Sequence, residues 1–339
     1  MKAVFWNQRN VGGNYLKWNL WDTVTTDLEE FKNSPATLKV AMIGEFLEGM
    51  IVYPTFIEHM DELLTFCDKI FVFNTHAFDE IVPYLEKYYN PKIIWVLPII
   101  HHYNQQIIFD NSWLRSKVEW YSAPELKEDL FKLTPYDTKE FYFDAMMRSG
   151  DGNKDHVIDN VKLCGIGPKV LSRFGSEPVL YPEGFTDRTM ISELASYKGH
   201  ECVVADVVPV DLYNKSAYSI LAESTYLNSF FYLTEKTTKC ILARRLFVMF
   251  AGQYWLRSFR NLGFKTFSDI IDESYDDIED NQTRWSIAFN QIKYLCEQPQ
   301  DLILDKIKPI VEHNYNHLWT TNWRGTLDQQ ILDVINMDS

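Results

Sequence analysis

The chain has 339 residues, of which 46% are hydrophobic and 24% charged, and its formal net charge at pH 7 is −14. This composition excludes an intrinsically disordered chain, and the acidic balance, with no block of Lys and Arg, argues against duplex DNA as a general ligand. Because one hydrophobic core rarely grows beyond about 250–300 residues, the length predicts two domains.

The cysteines and the apolar runs indicate the compartment. Five cysteines occur, widely spaced, odd in number and without a CxxC pair: Cys67, Cys164, Cys202, Cys240 and Cys296. They predict neither a disulfide framework nor a zinc site. The N-terminal segment lacks the apolar core of a signal peptide, and no apolar run approaches the roughly 18 residues that cross a bilayer. We therefore predict a cytoplasmic protein without a membrane partner.

The first part of the chain alternates strand-like and helical segments. Strands are predicted at 37–45, 69–73 and 91–100, with a helix before the second strand and another at 78–89. Parallel strands need such crossover connections, so this alternation predicts a parallel sheet with helices on its faces. We assign residues 1–140 to an N-terminal α/β domain.

The same alternation begins again at residue 141. Strands are predicted at 141–146, 201–210 and 245–252, and helices follow the turn-rich segment near residue 150 and the aromatic run near residue 231. We assign 141–283 to a second α/β domain. From 284 to 339, apolar residues at three-to-four spacing predict a helical segment. The predicted fold class is α/β, with two Rossmann-like domains facing a cleft and C-terminal helices.

A polar cluster stands where the aromatic run meets an apolar helical pattern. Thr234 is a good N-cap residue, which places Glu235 and Lys236 in the first helical turn. A lysine there opposes the helix dipole and adds positive charge to free backbone N–H groups. Two interpretations stay open: a phosphate site in which Glu235 accepts hydrogen bonds from ribose hydroxyls, and an ordinary solvated helix start.

The region around this cluster resembles a known family. Glu223-Ser224 is followed by Tyr-Leu-Thr-Glu-Lys at 232–236 and by ILARRLFVMFAG, a helix and a strand that ends in Gly. This order resembles the signature of the α1,3-fucosyltransferases, glycosyltransferase family 10, in which Glu-Asn-Ser precedes Tyr-x-Thr-Glu-Lys. The chain departs from the signature at Ser224-Thr225, where the family usually has Asn-Ser.

The resemblance implies roles for individual residues. In the family, the Tyr, Glu and Lys hold the nucleotide part of the sugar donor, so Tyr232, Glu235 and Lys236 are the corresponding donor-binding candidates, and Glu223 belongs to the same segment. Lys154 stands where the family has an Arg that pairs with the donor phosphates. Lysine lacks the bidentate fork of arginine, and Arg148 is a rival for this contact.

The N-terminal half carries a fainter similarity. Residues 42–54, MIGEFLEGMIVYP, resemble the family's strand that ends in Glu-Ser-Pro, although the Ser-Pro is absent. This alignment makes Glu45 the candidate general base, with Glu48 second. The competing interpretation of Glu45 is an acid at a strand end that faces water.

An acidic segment follows the second domain's last strand. Residues 261–280 are similar to uncharacterised glycosyltransferase-like proteins of viruses and phages. The segment contains four acids, Asp272, Glu273, Asp276 and Asp277. They lack the ligand spacing of an EF-hand, which favours a solvated, helix-capping segment over a metal cluster, and Arg257 and Arg260 are close enough in sequence to pair with it.

Together, the resemblance implies a GT-B-like glycosyltransferase in which residues 1–140 form the acceptor-side domain and residues 141–283 the domain that binds the nucleotide-sugar donor. We expect an inverting displacement that moves a sugar from a nucleotide-sugar donor to an acceptor hydroxyl. The expected acceptor is a glycan or a modified DNA base, and the expected origin of the protein is a virus or phage. No metal is implied, and the nucleotide-sugar is a co-substrate rather than a cofactor. The alternative is a catalytically inactive binding or structural module of a virion or assembly. No P-loop, dinucleotide or GxSxG motif occurs to favour another enzyme class.

Overall fold

A computed structural model describes residues 1–6, 21–45, 55–74, 82–97, 99–101, 106–147, 152–174, 195–202, 204–228 and 230–337. The strands are β1 (Lys2–Trp6), β2 (Thr23–Thr25), β3 (Leu38–Glu45), β4 (Lys69–Asn74), β5 (Ile93–Leu97), β6 (Ile99–His101), β7 (Gln106–Phe109), β8 (Phe141–Met147), β9 (Val170–Phe174), β10 (Ala195–Tyr197), β11 (His200–Cys202), β12 (Ser216–Ala222), β13 (Phe230–Tyr232) and β14 (Phe247–Phe250). The helices are α1 (Leu28–Asn33), α2 (Thr55–Phe66), α3 (Val82–Lys87), α4 (Ser112–Trp120), α5 (Pro124–Leu130), α6 (Gly152–Leu163), α7 (Val210–Lys215), α8 (Glu235–Leu242), α9 (Trp255–Asn261), α10 (Asn281–Glu297), α11 (Gln300–Thr320) and α12 (Trp323–Asn336). Within these residues, no helix is both long enough and apolar enough to cross a membrane.

The chain divides into two compact units. Unit 1 consists of Met1–Ser112 and Asn322–Ser339, and unit 2 is Trp113–Thr321. The main sheet of each unit is parallel, and helices form the C-terminal part of the chain, so the predicted α/β class is confirmed. The predicted domain boundaries at residues 140 and 283 stay a prediction, because compactness alone does not show which segments fold independently.

Unit 1 is built on a six-stranded sheet. The strand order is β2-β1-β3-β4-β5-β7, and each neighbouring pair is parallel. Glu45, the last residue of β3, lies opposite Asn74, the last residue of β4. The carboxyl ends of these two central strands therefore lie level with each other at the same edge of the sheet, where doubly wound sheets bind their ligands.

The last helix of the chain packs on this N-terminal sheet. Leu327, Ile331 and Ile335 recur every four residues on α12, so they share one helix face, and all three are buried with apolar residues of the strands. The Asn111 side chain donates a hydrogen bond to the carbonyl of Trp323 at 2.6 Å and fixes the start of the helix. Helix α12 therefore belongs to the same hydrophobic core as the strands of the N-terminal sheet.

Unit 2 contains a four-stranded parallel sheet in the order β14-β12-β8-β9. All seven residues of the central strand β12 are buried. A strand covered on both faces has no solvent side, which is why Ser216–Ala222 lacks the alternation of polar and apolar residues that marks a half-exposed strand. A separate antiparallel pair, β10 and β11, precedes β12 in the chain.

The predicted strand at 201–210 is wrong. Only its beginning belongs to a strand, β11, and a short 3-10 turn at Val204–Asp206 and the start of α7 follow. This segment bonds to side chains rather than to a neighbouring strand. The Val208 N–H donates to the Tyr121 hydroxyl, and the Asp206 carboxylate pairs with Lys117. These partners come from distant parts of the chain, so the apolar run alone could not reveal them.

A buried ion pair joins the strands of unit 2. The Arg245 guanidinium lies 2.5 Å from an oxygen of Asp144, and both side chains are less than 5% exposed. Ser216 and Ser219 donate to the same carboxylate oxygen at 3.0 and 2.9 Å. Arg245 also donates to the carbonyls of three residues near β12: Tyr213, Ser216 and Tyr218. The charge is compensated by hydrogen bonds that link β8, β12 and the start of β14.

We expect Arg245→Met to lower the free energy of unfolding by about 3–5 kcal/mol, because the change leaves the Asp144 carboxylate buried without its partner. Urea denaturation measures the loss. Arg257→Met is the matched control: Arg257 pairs with Asp277 at 2.6 Å, but these side chains are 52% and 64% exposed, so the cost should stay below about 1 kcal/mol. Equal losses in the two variants would contradict the structural role given to Arg245.

Candidate functional site

The start of α8 has the predicted form. Thr234 is the N-cap residue in an extended conformation, and its hydroxyl oxygen accepts a hydrogen bond from the Lys236 backbone N–H at 3.3 Å. Glu235 and Lys236 therefore occupy the first turn of the helix, which confirms the sequence-based placement. The N-terminal end of a helix carries a partial positive charge, and in α8 a lysine stands in that first turn.

A buried carboxylate fixes this helix start to the sheet. Glu223 directly follows β12, and its side chain is completely buried. Its oxygens accept hydrogen bonds from the Thr234 N–H at 3.2 Å, from the Thr234 hydroxyl at 2.7 Å and from the Thr237 hydroxyl at 2.8 Å. Burial raises the pKa of Glu223, and the Lys236 charge and the two hydroxyls oppose that effect. The Glu223 carboxylate thus forms its hydrogen bonds with the residues at the start of α8 and holds that helix next to the sheet.

Lys236 lies at the centre of the polar groups around the helix start. Its Nζ lies 3.3 Å from the Ser224 hydroxyl, 3.3 Å from the Thr234 hydroxyl and 3.4 Å from the Glu235 carboxylate. Burial acts to lower the pKa of Lys236, but the charges of Glu235 and Glu223 outweigh it and raise that pKa. The ammonium group is therefore charged at neutral pH, and its side chain keeps 29% of its surface exposed.

Three further charged residues that sequence reasoning did not single out adjoin this group. Lys117 of α4 has no exposed side-chain surface and pairs with Asp206 at 2.6 Å. Burial acts to raise the pKa of Glu235, but the charges of Lys236, Lys239 and Lys117 lower it. Lys239 follows Glu235 by four residues, a helical spacing visible in the sequence. No sequence pattern points to Lys117 and Asp206, because these residues reach the site through tertiary packing.

A second helix begins at the same edge of the sheet. The Asn153 amide of α6 is fully buried and donates to the carbonyl of Glu223 at 3.1 Å and to that of Phe250 at 2.8 Å. These carbonyls follow β12 and end β14. Lys154 is the next residue of α6, so Lys154 and Lys236 stand in the first turns of two helices that both start at the carboxyl ends of these strands.

The structure describes the remaining site candidates to different extents. Tyr232 ends β13, is 3% exposed, and its carbonyl accepts a hydrogen bond from the Trp255 indole at 2.9 Å. Glu45 is described only by its backbone at the end of β3. Glu48 and Arg148 lie outside the described residues. The roles of all four in donor binding or catalysis stay predictions.

The acidic segment is a capping structure, as predicted, but it is not fully solvated. The two oxygens of Asp276 accept hydrogen bonds from the N–H groups of Leu256 and Arg257 at 2.8 and 2.9 Å, in the first turn of α9. Asp276 and Glu273 are both buried, which raises the pKa of each carboxyl group.

The predicted pairing of this segment with two arginines is confirmed. Arg257 pairs with Asp277 at 2.6 Å, and Arg260 pairs with Glu273 at 3.1 Å. Within the described part of the chain, no group of three or more His, Cys, Asp or Glu side chains is arranged to hold a metal ion. The bonds of Asp276 and Glu273 give these acids a structural function.

No protein-family model matches the chain, and neither a curated protein nor a solved structure matches it. The resemblance to glycosyltransferase family 10 therefore rests on the residues quoted for it. The geometry around Lys236 is the basis on which a function can be argued.

We expect Thr237→Val to lower the free energy of unfolding by about 1–3 kcal/mol, because it removes one of the donors to the buried Glu223 carboxylate. Thr238→Val is the matched control: Thr238 is equally buried, but its hydroxyl donates to the Thr234 carbonyl, which already accepts the Thr238 backbone N–H. Chemical denaturation compares the two. A loss in Thr238→Val as large as that in Thr237→Val would show that the Glu223 contact has no special weight.

Gly252, two residues after β14, lies where another part of the backbone approaches closely. A Cβ atom at Gly252 would lie 2.2 Å from the Leu227 carbonyl oxygen, in the segment that follows β12. We expect Gly252→Ala to destabilise the protein by about 1–3 kcal/mol, since backbone must shift to admit the methyl group. Gly167→Ala, where no atom lies within 4 Å, should change stability by less than about 0.5 kcal/mol. Thermal unfolding of both variants checks this, and a neutral Gly252→Ala would show that the segment adjusts freely.

Proposed function

We propose that the protein is a glycosyltransferase that moves a sugar from a nucleotide-sugar donor to an acceptor hydroxyl, and that unit 2 binds the donor. One observation carries the proposal: Lys236, a charged and partly exposed lysine, stands in the first turn of α8, at the carboxyl end of a parallel sheet. Parallel α/β sheets bind ligands at this edge, and a helix N-terminus favours anions. A purely structural helix start would favour an acid at that position.

The chemistry of the donor fits these groups. When a sugar leaves a nucleoside diphosphate, negative charge grows on the diphosphate in the transition state. Lys236 and the N-terminal turn of α8 supply positive charge for it, with Lys154 as a second cation. Glu235 is held as a carboxylate by the surrounding lysines, and an ionised carboxylate accepts hydrogen bonds from ribose hydroxyls.

The proposal includes an inverting displacement with Glu45 as general base and the GT-B-like arrangement that the family resemblance implies. Glu45 ends a central strand of unit 1, an edge suited to a catalytic carboxylate in doubly wound sheets. Proton removal by a carboxylate activates the acceptor hydroxyl as it attacks the anomeric carbon. The proposed acceptor is a glycan or a modified DNA base, and the proposed setting is a virus or phage.

The test is a thermal-shift and calorimetric screen against GDP, UDP, CDP and dTDP and their common sugar conjugates, with and without EDTA. One nucleotide should stabilise the protein, by about 2.7 kcal/mol at a concentration of 100 times its Kd. Lys236→Ala should weaken that binding by about 1.5–3 kcal/mol, because it removes a charged hydrogen-bond donor. Lys306→Ala is the matched control, since Lys306 is an exposed lysine of α11.

Two results would overturn the proposal. If none of the nucleotides or conjugates binds, the protein is better described as a binding or structural module, and its partners are macromolecules. If a nucleotide binds equally well to Lys236→Ala and to the unaltered chain, the site lies elsewhere. Loss of binding in Lys306→Ala as well would show that the effect of Lys236→Ala is a general effect of charge.

A further inference from the structure

Two buried acceptor atoms on α6 have no hydrogen-bond donor among the residues that the structure describes. They are Oδ1 of Asn153 and Nε2 of His156. Folded proteins pair nearly all of their buried polar atoms, because an unpaired one is unfavourable. The two residues are three apart on the helix, so their side chains share one face. Two unpaired acceptors on one face of a helix indicate a common partner.

The Asn153 side chain is fully buried at the carboxyl edge of the sheet of unit 2. Its Nδ2 donates to the carbonyl of Glu223 at 3.1 Å and to that of Phe250 at 2.8 Å. These two bonds use both N–H groups of the amide and establish which of its end atoms is the oxygen. Oδ1 is therefore an acceptor held in a fixed position in the first turn of α6.

The tautomer of His156 follows from the partner of its other ring nitrogen. Nδ1 lies 3.2 Å from Oε1 of Gln282, an atom that can only accept, so Nδ1 carries the proton and Nε2 a lone pair. The ring packs beside Phe250 and Trp285, with centroid distances of 6.4 and 5.8 Å. Burial lowers the pKa of His156, against the hydrogen bond with Gln282 and the charge of Asp159. The ring is therefore neutral at neutral pH, and Nε2 is a second acceptor.

These acceptors adjoin the polar groups around Lys236. Asn153 bonds to the carbonyl of Glu223, and the hydroxyl of the next residue, Ser224, lies 3.3 Å from Lys236 Nζ. A ligand that contacts Lys236 therefore has the first turns of α6 beside it. The His156 side chain is half-buried, so a ligand reaches Nε2 through a side-chain shift of the kind that is common on binding.

We infer that Asn153 Oδ1 and His156 Nε2 form a neutral subsite beside Lys236, which accepts hydrogen bonds from uncharged O–H or N–H groups of a bound ligand. The identification of this ligand as a nucleotide-sugar rests on the proposed function. Neither atom can donate, so the subsite fits hydroxyl and amino groups rather than phosphate oxygens. A sugar presents such donors as hydroxyls, and a nucleoside presents them on its ribose and base.

The division of labour between the two sites follows from their chemistry. Lys236 attracts the anionic part of a ligand, whereas the subsite selects its neutral part. A site built to hydrogen-bond a particular group discriminates strongly against an analogue that lacks it, because its buried polar atoms are then left unpaired. Asn153 and His156 would therefore determine specificity more than overall affinity.

The first experiment is nitrogen-15 NMR of the full chain labelled in its histidine rings. The probes are neutral: guanosine, uridine, cytidine, thymidine, glucose, galactose, fucose and N-acetylglucosamine, each at millimolar concentration. The spectrum of His156→Gln lacks the signals of this ring and so assigns them. A hydrogen bond donated to a bare ring nitrogen moves its resonance to lower frequency, and at least one probe should do so at Nε2. A nucleoside or a monosaccharide as the active probe identifies the part of the ligand that occupies the subsite.

The second experiment compares the affinity of variants for that probe, followed through the probe's own proton signals. His156→Phe keeps a ring but has no acceptor, and should bind about tenfold more weakly. His156→Gln supplies an amide oxygen near the position of Nε2 and should keep most of the affinity. His313→Phe is the matched control, because His313 is a half-buried histidine whose Nε2 already bonds to the Gly263 carbonyl at 2.9 Å.

A purely structural role for the Nε2 atom gives a different result. Among the described residues, Nε2 of His156 has no partner to lose, so the unfolding midpoint of His156→Phe should fall no further than that of His313→Phe. Three results would overturn the inference: an Nε2 resonance that no probe shifts, equal affinity in His156→Phe and the unaltered chain, or an equal loss in His313→Phe. If His156→Phe does not fold, the shift of Nε2 in the unaltered chain decides.

The inference and the proposed function can fail separately. Nucleotide binding that depends on Lys236, with an unchanged Nε2 resonance of His156 for every probe, overturns only this inference. A neutral probe that shifts this resonance, without binding of any nucleotide or conjugate, supports the inference and overturns the proposed function.

Discussion

The buried carboxylate of Glu223 is the interaction on which the candidate site depends. A charged group with no exposed surface is tolerated only with several partners, and Glu223 obtains them from the next helix: the Thr234 N–H, the hydroxyls of Thr234 and Thr237, and the charge of Lys236. Its own carbonyl accepts a hydrogen bond from Asn153. One residue at the end of β12 therefore fixes the first turns of both α8 and α6, and these turns carry the lysines proposed to bind the donor.

The two groups of charge in unit 2 differ in their access to solvent. Asp144 and Arg245 form a closed pair in which the charges match and hydrogen bonds satisfy the remaining polar atoms, so nothing is left to bind a ligand. Around Glu235 the charges are also matched, but Lys236 keeps 29% of its side-chain surface exposed. An enclosed pair serves the fold, whereas a charged lysine with access to solvent can contact a ligand, and this difference is the reason to propose ligand binding at the second group.

The local patterns in the sequence predicted local structure well, and the failures came where distant parts of the chain meet. The N-cap at Thr234 follows from residues within one turn, and it was predicted. The capping role of the acidic segment was also predicted, but the N–H groups that Asp276 caps lie 20 and 19 residues earlier in the chain. The segment 201–210 looked like a strand because it is rich in valine. In the structure, the Val208 N–H and the Asp206 carboxylate instead bond to Tyr121 and Lys117, at the end of α4 and on it. Packing of α12 on the first sheet joins the two ends of the chain, which no window of sequence can reveal.

The lowered pKa of Lys239 makes the stability of the fold depend on pH. In the folded protein, the pKa of Lys239 is about 8, below its ordinary value of 10.5, so between these pH values the unfolded chain binds more protons than the folded one. The free energy of unfolding contributed by Lys239 therefore rises with pH in that interval and is lowest below pH 8, where the Lys239 ammonium is charged. At neutral pH the charged ammonium of Lys239, partly removed from water, therefore lowers the stability of the fold.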